Sequence, residues 1–502
     1  MKKALLLVVL LASGCGPKTQ TRIAPFPVHI GPPEDDVAYR EGMKAFREGT
    51  PEGYERAVAA FRKADKRRPS TCEYEMHLAE SLFFLVLQQK NNWEDFQPHT
   101  GEADAILFFK RGAPECNAFE SAIARLQALS MSLDNFRQTE VVAMIRHAID
   151  TDPDDPMNWI VLAQVNPDPL VRVDPLSPGE HAAELAPDLP AAQYEAGNYY
   201  LRNQSTFGRA KEAFERAVAL NPRHFPAIIG IVYALSIEGD DAADKVEPLL
   251  KKAAEIAPNS LKARTLLGDY YAGLEETDLA VEQYQAAVTL APAYYPAHLA
   301  RGTALVTAER PDEAEKSFNE VIRLDVKRPH PPHNGVDFTA DGLAHYYLGN
   351  IWLERGDLSK AAVEYTITLN DIGNHAGAIY GLGIIAYRQG RVDEALMKLN
   401  QVLEIDANRF PNAFLARGGI RAERKQFVES IADFDRAIEI YKQQAASLEA
   451  KARIDEQKGR IRKAEGERRR KFLIETTLEK ALESKKTVET LKGGHPFGVS
   501  GA

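Results

Sequence analysis

Apolar and small residues recur along most of the chain at the three- and four-residue steps of a helix face, and the pattern as a whole repeats. One unit places Leu267-Gly268, Tyr271, Ala280, Tyr284, Ala287 and Pro292 at offsets of 3, 12, 16, 19 and 24 from the glycine. The next has Gly302, Leu305, Ala314, Phe318 and Val321, with Val326 in place of the proline. Leu348-Gly349, Trp352, Ala361, Tyr365 and Thr368 follow, then Leu382-Gly383, Ala395, Leu399 and Val402, then Gly418, Ser430, Phe434 and Ala437. The glycines stand 34, 47, 34 and 35 residues apart. Each unit predicts two helices, one around the glycine and one carrying the alanines, and no strand.

Upstream the frame persists with small insertions. Gly197, Tyr200, Ala210, Phe214, Ala217 and Pro222 form one unit, and Val232, Val246, Leu250, Ala253 and Pro258 another. Trp159, Leu162 and Ala163 open a unit, and Gly42, Ala57, Phe61, Ala64 and Pro69 fit after an insertion near Pro51 and Gly53. Small residues at the glycine and alanine positions let paired helices approach closely, large ones fill the space between, and proline ends the second helix. A single pair cannot bury its own apolar stripe, so neighbours must stack. Over residues 35–442 these positions resemble the tetratricopeptide repeat. The resemblance implies an all-α fold, a right-handed α-solenoid of stacked helix-turn-helix units whose first helices line a concave groove.

Three stretches break the period. Residues 72–153 begin in register at Leu78-Ala79 and end in register at Ile145, Ala148 and Pro153, with an insertion at about 91–118 holding Trp93, Phe96 and Ile106-Leu107-Phe108-Phe109. It either folds over the array or forms a partner-binding lobe. Residues 164–187 are proline-rich, so one second helix is short or irregular. Residues 326–340, with Pro329, Pro331 and Pro332, form a surface loop and account for the long spacing.

The N-terminus has a different pattern. Met1-Lys2-Lys3 is cationic and Ala4–Ala12 is an unbroken apolar run. As a helix that run rises only about 14 Å, well short of the ~30 Å hydrocarbon layer, so it reads as a signal sequence and not a span. It ends in Leu11-Ala12-Ser13-Gly14-Cys15, which resembles the lipobox of bacterial lipoproteins, with Ala12 where leucine is commonest. The resemblance implies cleavage after Gly14, acylation of Cys15, and, with Gly16 next, outer-membrane sorting. Pro17, Pro25, Pro27, Pro32 and Pro33 make residues 15–34 an extended tether.

The chain has 3 cysteines among 502 residues, too few for a disulfide scaffold. With Cys15 acylated, Cys72 and Cys116 are left as a pair, either bridged or as two buried thiols.

The formal charge is −10, which excludes nucleic acid as a main partner. Lys442–Lys492 departs from this, with 15 basic against 9 acidic residues and no proline. That predicts a long charged C-terminal helix over 443–492 followed by a flexible tail over 493–502. Its apolar residues hold no heptad, so it reads as a solvating cap. The alternative is a basic arm for anionic lipid, cell-wall polymer or an acidic partner, densest at Arg468-Arg469-Arg470-Lys471.

No phosphate loop, zinc-protease motif or nucleophile elbow is present in the sequence. Gly381-x-Gly383-x-x-Ala386 falls inside a first helix, where close packing explains it, and His330-Pro331-Pro332-His333 reads as an exposed loop. Neither catalytic nor metal-binding residues nor a cofactor are expected.

The groove implied by the resemblance would be lined by Tyr194, Asn198, Tyr233, Thr265, Asp269, Thr303, Tyr346, Asn350, Tyr380 and Tyr387. Tyrosine offers broad amphipathic contact at low entropic cost, which suits an extended or helical protein segment. These positions lack a Lys/Arg cluster for phosphate or carboxylate capture. The reading is therefore a non-enzymatic scaffold, lipid-anchored on the outer membrane and facing the periplasm of a diderm bacterium. It would assemble an envelope complex for secretion, pilus, motility or envelope assembly. The competing reading is a regulatory or adaptor subunit for cell-wall-active enzymes, or an enzyme.

Overall fold

A computed structural model describes residues 36–48, 50–67, 72–89, 120–132, 138–165, 177–202, 204–238, 243–325 and 340–492. The signal segment, Cys15, the tether, the insertion at 91–118, Cys116, the His330–His333 loop and the tail at 493–502 lie outside the described residues.

Among the described residues the chain is helical throughout, with no strand. The N-terminal part holds α1 (Val37–Phe46), α2 (Pro51–Arg67), α3 (Cys72–Gln89), α4 (Glu120–Ser132), α5 (Gln138–Thr151), α6 (Pro156–Val165) and α7 (Pro178–Leu185). Hairpins follow as α8 (Pro190–Tyr200) with α9 (Phe207–Leu220), and α10 (Phe225–Glu238) with α11 (Ala243–Ile256). Next come α12 (Leu261–Gly273) with α13 (Thr277–Leu290), and α14 (Tyr295–Thr307) with α15 (Pro311–Asp325). The array continues through α16 (Ala340–Glu354) with α17 (Leu358–Ile372), and α18 (Ala376–Arg388) with α19 (Val392–Asp406). It ends in α20 (Pro411–Glu423), α21 (Phe427–Gln457) and α22 (Ile461–Lys492).

One packing device explains the glycine frame. The Tyr365 ring of α17 is fully buried between α16 and α18. A Cβ at Gly349 would lie 2.6 Å from one ring edge, and a Cβ at Gly381 2.4 Å from the other. Phe214 is pinched in the same way, with Gly197 at 2.5 Å and Gly230 at 2.7 Å. In these hairpins the aromatic ring of the second helix thus occupies the space that a side chain on the adjoining first helices would need. This close approach outweighs the poor helix propensity of glycine.

One intra-hairpin turn also recurs, in five of the hairpins. Glu276 N–H reaches back to Tyr271 C=O at 2.9 Å, as Arg310 does to Leu305, Asp357 to Trp352, Arg391 to Ala386 and Gln426 to Arg421. The penultimate residue has positive φ in every case: Glu275, Glu309, Gly356, Gly390 and Lys425. The left-handed residue and the long-range bond satisfy the last carbonyls of the first helix.

Two parts differ from the sequence reading. Residues 72–153 are not one interrupted unit: α4 and α5 form their own hairpin. Leu129 of α4 stands 34 residues before Ala163, in register, but a leucine at the small-residue position hides it.

The C-terminus is also not one helix over 443–492. With no proline at the end of the last repeat, α21 runs on as a single helix to Gln457 and turns at Lys458–Arg460. Arg460 N–H bonds Asp455 C=O at 2.8 Å, and Gly459 has φ 76. This is the intra-hairpin turn again, and Ala452 and Ala464 bury themselves at the positions of Gly418 and Ser430 one 34-residue period on.

The helix α22 then packs back along α21. Ala481 and Val488 meet Phe434 and Ile438, while Ile474 and Leu478 meet Phe414 and Tyr441, covering the apolar end of the array.

The basic stretch of α22 is internally engaged. Arg462 pairs with Glu247 and Glu276, and Arg470 with Glu275. Arg469 donates to Leu274 C=O at 2.9 Å. Arg468 pairs with Glu456, and Lys471 with Glu449. The basic stretch, for which a free arm was the alternative reading, is therefore part of a strap whose tip returns to the α12–α13 turn.

Candidate functional site

The expected groove residues lie on successive first helices, α8, α10, α12, α14, α16 and α18. Apart from Thr265 on α12 and Thr303 on α14, they fall into two groups. Tyr194, Asn198, Tyr233 and Asp269 follow one another along α8, α10 and α12, and Tyr346, Asn350, Tyr380 and Tyr387 lie on α16 and α18.

Several serve the interior. Tyr194 packs on Phe214 and His224, with centroids 5.8 and 5.5 Å apart, and burial pushes its hydroxyl far above the usual range. Tyr346 packs at a tilt against His375, with centroids 4.4 Å apart, and touches Tyr365. Tyr380 is half-buried, with its pKa raised by desolvation.

The polar members have partners across the hairpin. Tyr284 donates its hydroxyl to Asp269 Oδ1 at 2.7 Å, and Tyr365 to Asn350 Oδ1 at 2.8 Å. A polar side chain one residue after the glycine thus receives the ring hydroxyl wherever the second-helix aromatic is tyrosine. Asn198 donates to Glu195 Oε2 at 3.2 Å, and Tyr387 donates to Glu423. Thr265 and Thr303 bond carbonyls of their own helices.

What remains open is centred on α10 and α12. Tyr233 is 37% exposed, with Lys262 Nζ over its ring at 5.2 Å. Desolvation lowers the Lys262 ammonium pKa. Asp269 is exposed, yet the walls around it strip enough water to raise its carboxyl, against the hydrogen bond from Tyr284. A desolvated cation on an aromatic face, one helix face away from a desolvated carboxylate, can pair with opposite charges on a bound chain. Lys262 was legible in the frame, since it shares a helix face with Thr265 and Asp269.

The structure adds a feature that the sequence did not show. In the N-terminal half the array curls until Asn221 Nδ2, after α9, donates to Glu48 C=O, after α1, at 2.8 Å. This contact helps enclose a cavity of about 860 Å³. Met43, Phe46, Tyr54, Met157 and Leu189 supply apolar lining, and Lys44, Arg47, Arg56 and Arg223 are charged members of it.

Its deep wall is a buried polar network. Arg125 Nε donates to Glu80 Oε1 at 2.7 Å, and Nη1 to Asn158 Oδ1 at 2.6 Å and to Asp155. His77 lies 3.0 Å from Glu80. Burial alone would raise the Glu80 carboxyl, but Arg125 and His77 outweigh it and bring it to about 2. Among the described residues no group of three or more metal-ligating side chains occurs, and no helix is long and apolar enough to cross a membrane.

Cys72 is buried at the start of α3, and its expected partner Cys116 lies outside the described residues.

Comparison with known proteins agrees with this architecture. Family profiles described as tetratricopeptide repeat match residues 261–294, 299–366 and 380–445. The chain is 22% identical over 253 residues to anaphase-promoting complex subunit 3 of Schizosaccharomyces pombe, a match covering 50% of this chain and 35% of that protein. The chain thus spans about a third of that relative's length. Among solved structures, a human IFIT1 dimer with m7Gppp-AAAA aligns at TM-score 0.42 and 14% identity, covering 81% of this chain and 95% of that one. A tetratricopeptide repeat protein from Parabacteroides merdae aligns at TM-score 0.39 and 14% identity, covering 50% and 93%. The chain is an all-α array that carries tetratricopeptide repeats over residues 261–294, 299–366 and 380–445.

Proposed function

We propose that this chain is a lipid-anchored scaffold of the bacterial cell envelope, tethered through acylated Cys15 and binding other envelope proteins or peptide segments along its concave wall. Tetratricopeptide repeats imply a protein–protein interaction scaffold, and the observation that carries the reading is the open part of that wall. Tyr233, Lys262 and Asp269 present an aromatic face and two desolvated charges that the hairpins themselves only partly use. The apolar segment before Cys15 supports the anchor, and the five prolines after it support a spacer between lipid and array. An outer-membrane position facing the periplasm follows from Gly16 after the acylated cysteine. A Cys72–Cys116 bridge belongs to the same compartment, and the disulfide-bonded state of Cys72 supports it.

Two measurements test this. Expressed in a diderm bacterium, the wild type is expected in the outer-membrane fraction and Cys15→Ser in the soluble periplasmic fraction; membrane retention of Cys15→Ser refutes the anchor. A photo-crosslinker at Tyr233 is expected to capture a discrete protein partner in cells, whereas one at exposed Met397, on the second helix α19, is not. Equal labelling from both positions refutes the concave wall as the binding face.

A further inference from the structure

We propose that the N-terminal cavity is a second binding site, distinct from the open wall at α10–α12, for an acidic segment of another protein that carries an apolar side chain between its carboxylates. The proposal rests on reading the array as a protein-binding surface and adds the chemistry of one partner.

The charge balance at the cavity is the first argument. Arg56 is paired with Glu48, and Arg125 is consumed by Glu80, Asp155 and Asn158. Among the described residues, Lys44, Arg47 and Arg223 are exposed and make no side-chain hydrogen bond or ion pair, and Asp188 is the one uncommitted carboxylate of the lining. Three uncommitted cations against one anion is a positive lip on a chain whose formal charge is −10. Such a lip steers and holds carboxylates.

Fixed geometry is the second. Arg223 lies far along the chain from Lys44 and Arg47, and the curl of the array brings the two turns together, where Asn221 bonds the Glu48 carbonyl. The Glu80–Arg125 network, with side chains 1% and 4% exposed, holds the deep wall rigid behind them. A site assembled before its ligand arrives loses less entropy on binding.

Size and lining are the third. A cavity of about 860 Å³ admits a few side chains and not a folded domain. Met43, Phe46, Tyr54 and Met157 offer an apolar seat, with the cations outside it. A ligand matching both must put an apolar group inward and anions at the mouth, as a short acidic segment with a Phe, Leu or Met in it does.

The test is a selection of displayed random dodecapeptides on the full chain, repeated on Lys44→Glu/Arg47→Glu/Arg223→Glu and on a control reversal, Lys245→Glu/Lys316→Glu, at exposed positions outside the lining. These are surface changes that leave the fold intact, checked by matching thermal melts. Peptides recovered by the wild type and the control, and lost by the triple variant, are expected to be enriched in Asp or Glu flanking an apolar residue. For a synthetic copy of one, the triple variant is expected to weaken binding at least tenfold, and raising salt from 0.05 to 0.5 M to weaken wild-type binding more than that of the variant. Peptides without acidic enrichment, or bound equally by the triple variant, overturn this inference alone and leave the scaffold reading standing. Saturable binding of decanoate with no acidic peptide recovered overturns it in favour of a small amphiphile. Recovery of no peptide by any form of the chain counts against both readings.

Discussion

Replacing Gly349 by alanine should destabilise the array, although alanine is the better helix former. The added methyl would lie 2.6 Å from Tyr365 Cε1 and 2.7 Å from Cδ1. The ring must retreat by nearly an ångström to restore ordinary contact. It has no room to do so, because its far edge already abuts α18 at Gly381 and its hydroxyl is held by Asn350 at 2.8 Å. Overpacking of this kind costs about 1–3 kcal/mol, against a propensity gain of about 1 kcal/mol. Because the ring is blocked on both sides the cost falls at the upper end of that range, and a net loss of up to about 2 kcal/mol is expected.

Gly419 is the control. It sits inside α20 with no atom within 4 Å of an added Cβ, so Gly419→Ala should stabilise by about 0.5–1 kcal/mol. The two substitutions are chemically identical and are predicted to have opposite signs. Repeat arrays need not unfold in one step, so the assay is thermal melting together with amide hydrogen exchange across α16–α18. In a Tyr365→Leu background, Gly349→Ala should lose its penalty, giving a coupling energy in the double-mutant cycle. A Gly349→Ala protein as stable as the wild type, or a Gly419→Ala protein equally damaged, would refute the argument that ring insertion selects these glycines.

Three further outcomes follow from the buried and latched charges. Glu80→Gln leaves buried Arg125 with Asp155 and Asn158 but without its Glu80 pair and should cost about 1–3 kcal/mol, read by urea unfolding; because the Glu80 carboxyl sits at about 2 when folded, its contribution is present above the ordinary carboxylate range and is lost as pH falls through that value. Burial lowers the His345 pKa, but its bond to Glu364 outweighs this and raises it, so its stabilisation is complete below about 6.5 and is lost as pH rises through the folded value. The melting-temperature gap between wild type and His345→Gln should therefore be wider at pH 6 than at pH 8. Arg462→Glu removes the pairs to Glu247 and Glu276; hydrogen exchange over 461–470 should speed up, as 0.5 M salt should make it do in the wild type, with little change in global melting because these pairs are exposed.

Much of the hairpin array can be read directly from residue types. Gly268, Gly302 and Gly349, with Tyr284, Phe318 and Tyr365 16 residues on, are a local steric code. The small residue and the ring that fills its space lie in one hairpin, so their spacing states the contact. Asn350 and Asp269 read as groove positions facing a partner, yet both accept a tyrosine hydroxyl from their own hairpin. That alternative was contained in the same frame. The α4–α5 hairpin was missed because Leu129 occupies a position where small residues carry the signal.

Other features depend on how far the stack curls, which is the sum of small rotations between successive hairpins and leaves no mark at any single residue. That sum brings Asn221 onto Glu48 and encloses the N-terminal cavity. It also carries the α21–α22 tip to the α12–α13 turn, so that the charged run caps the array as an internal strap and not as a free arm. Short-range packing is written in the order of residues along the chain. Long-range closure arises from accumulated geometry and is visible only once the helices are placed in space.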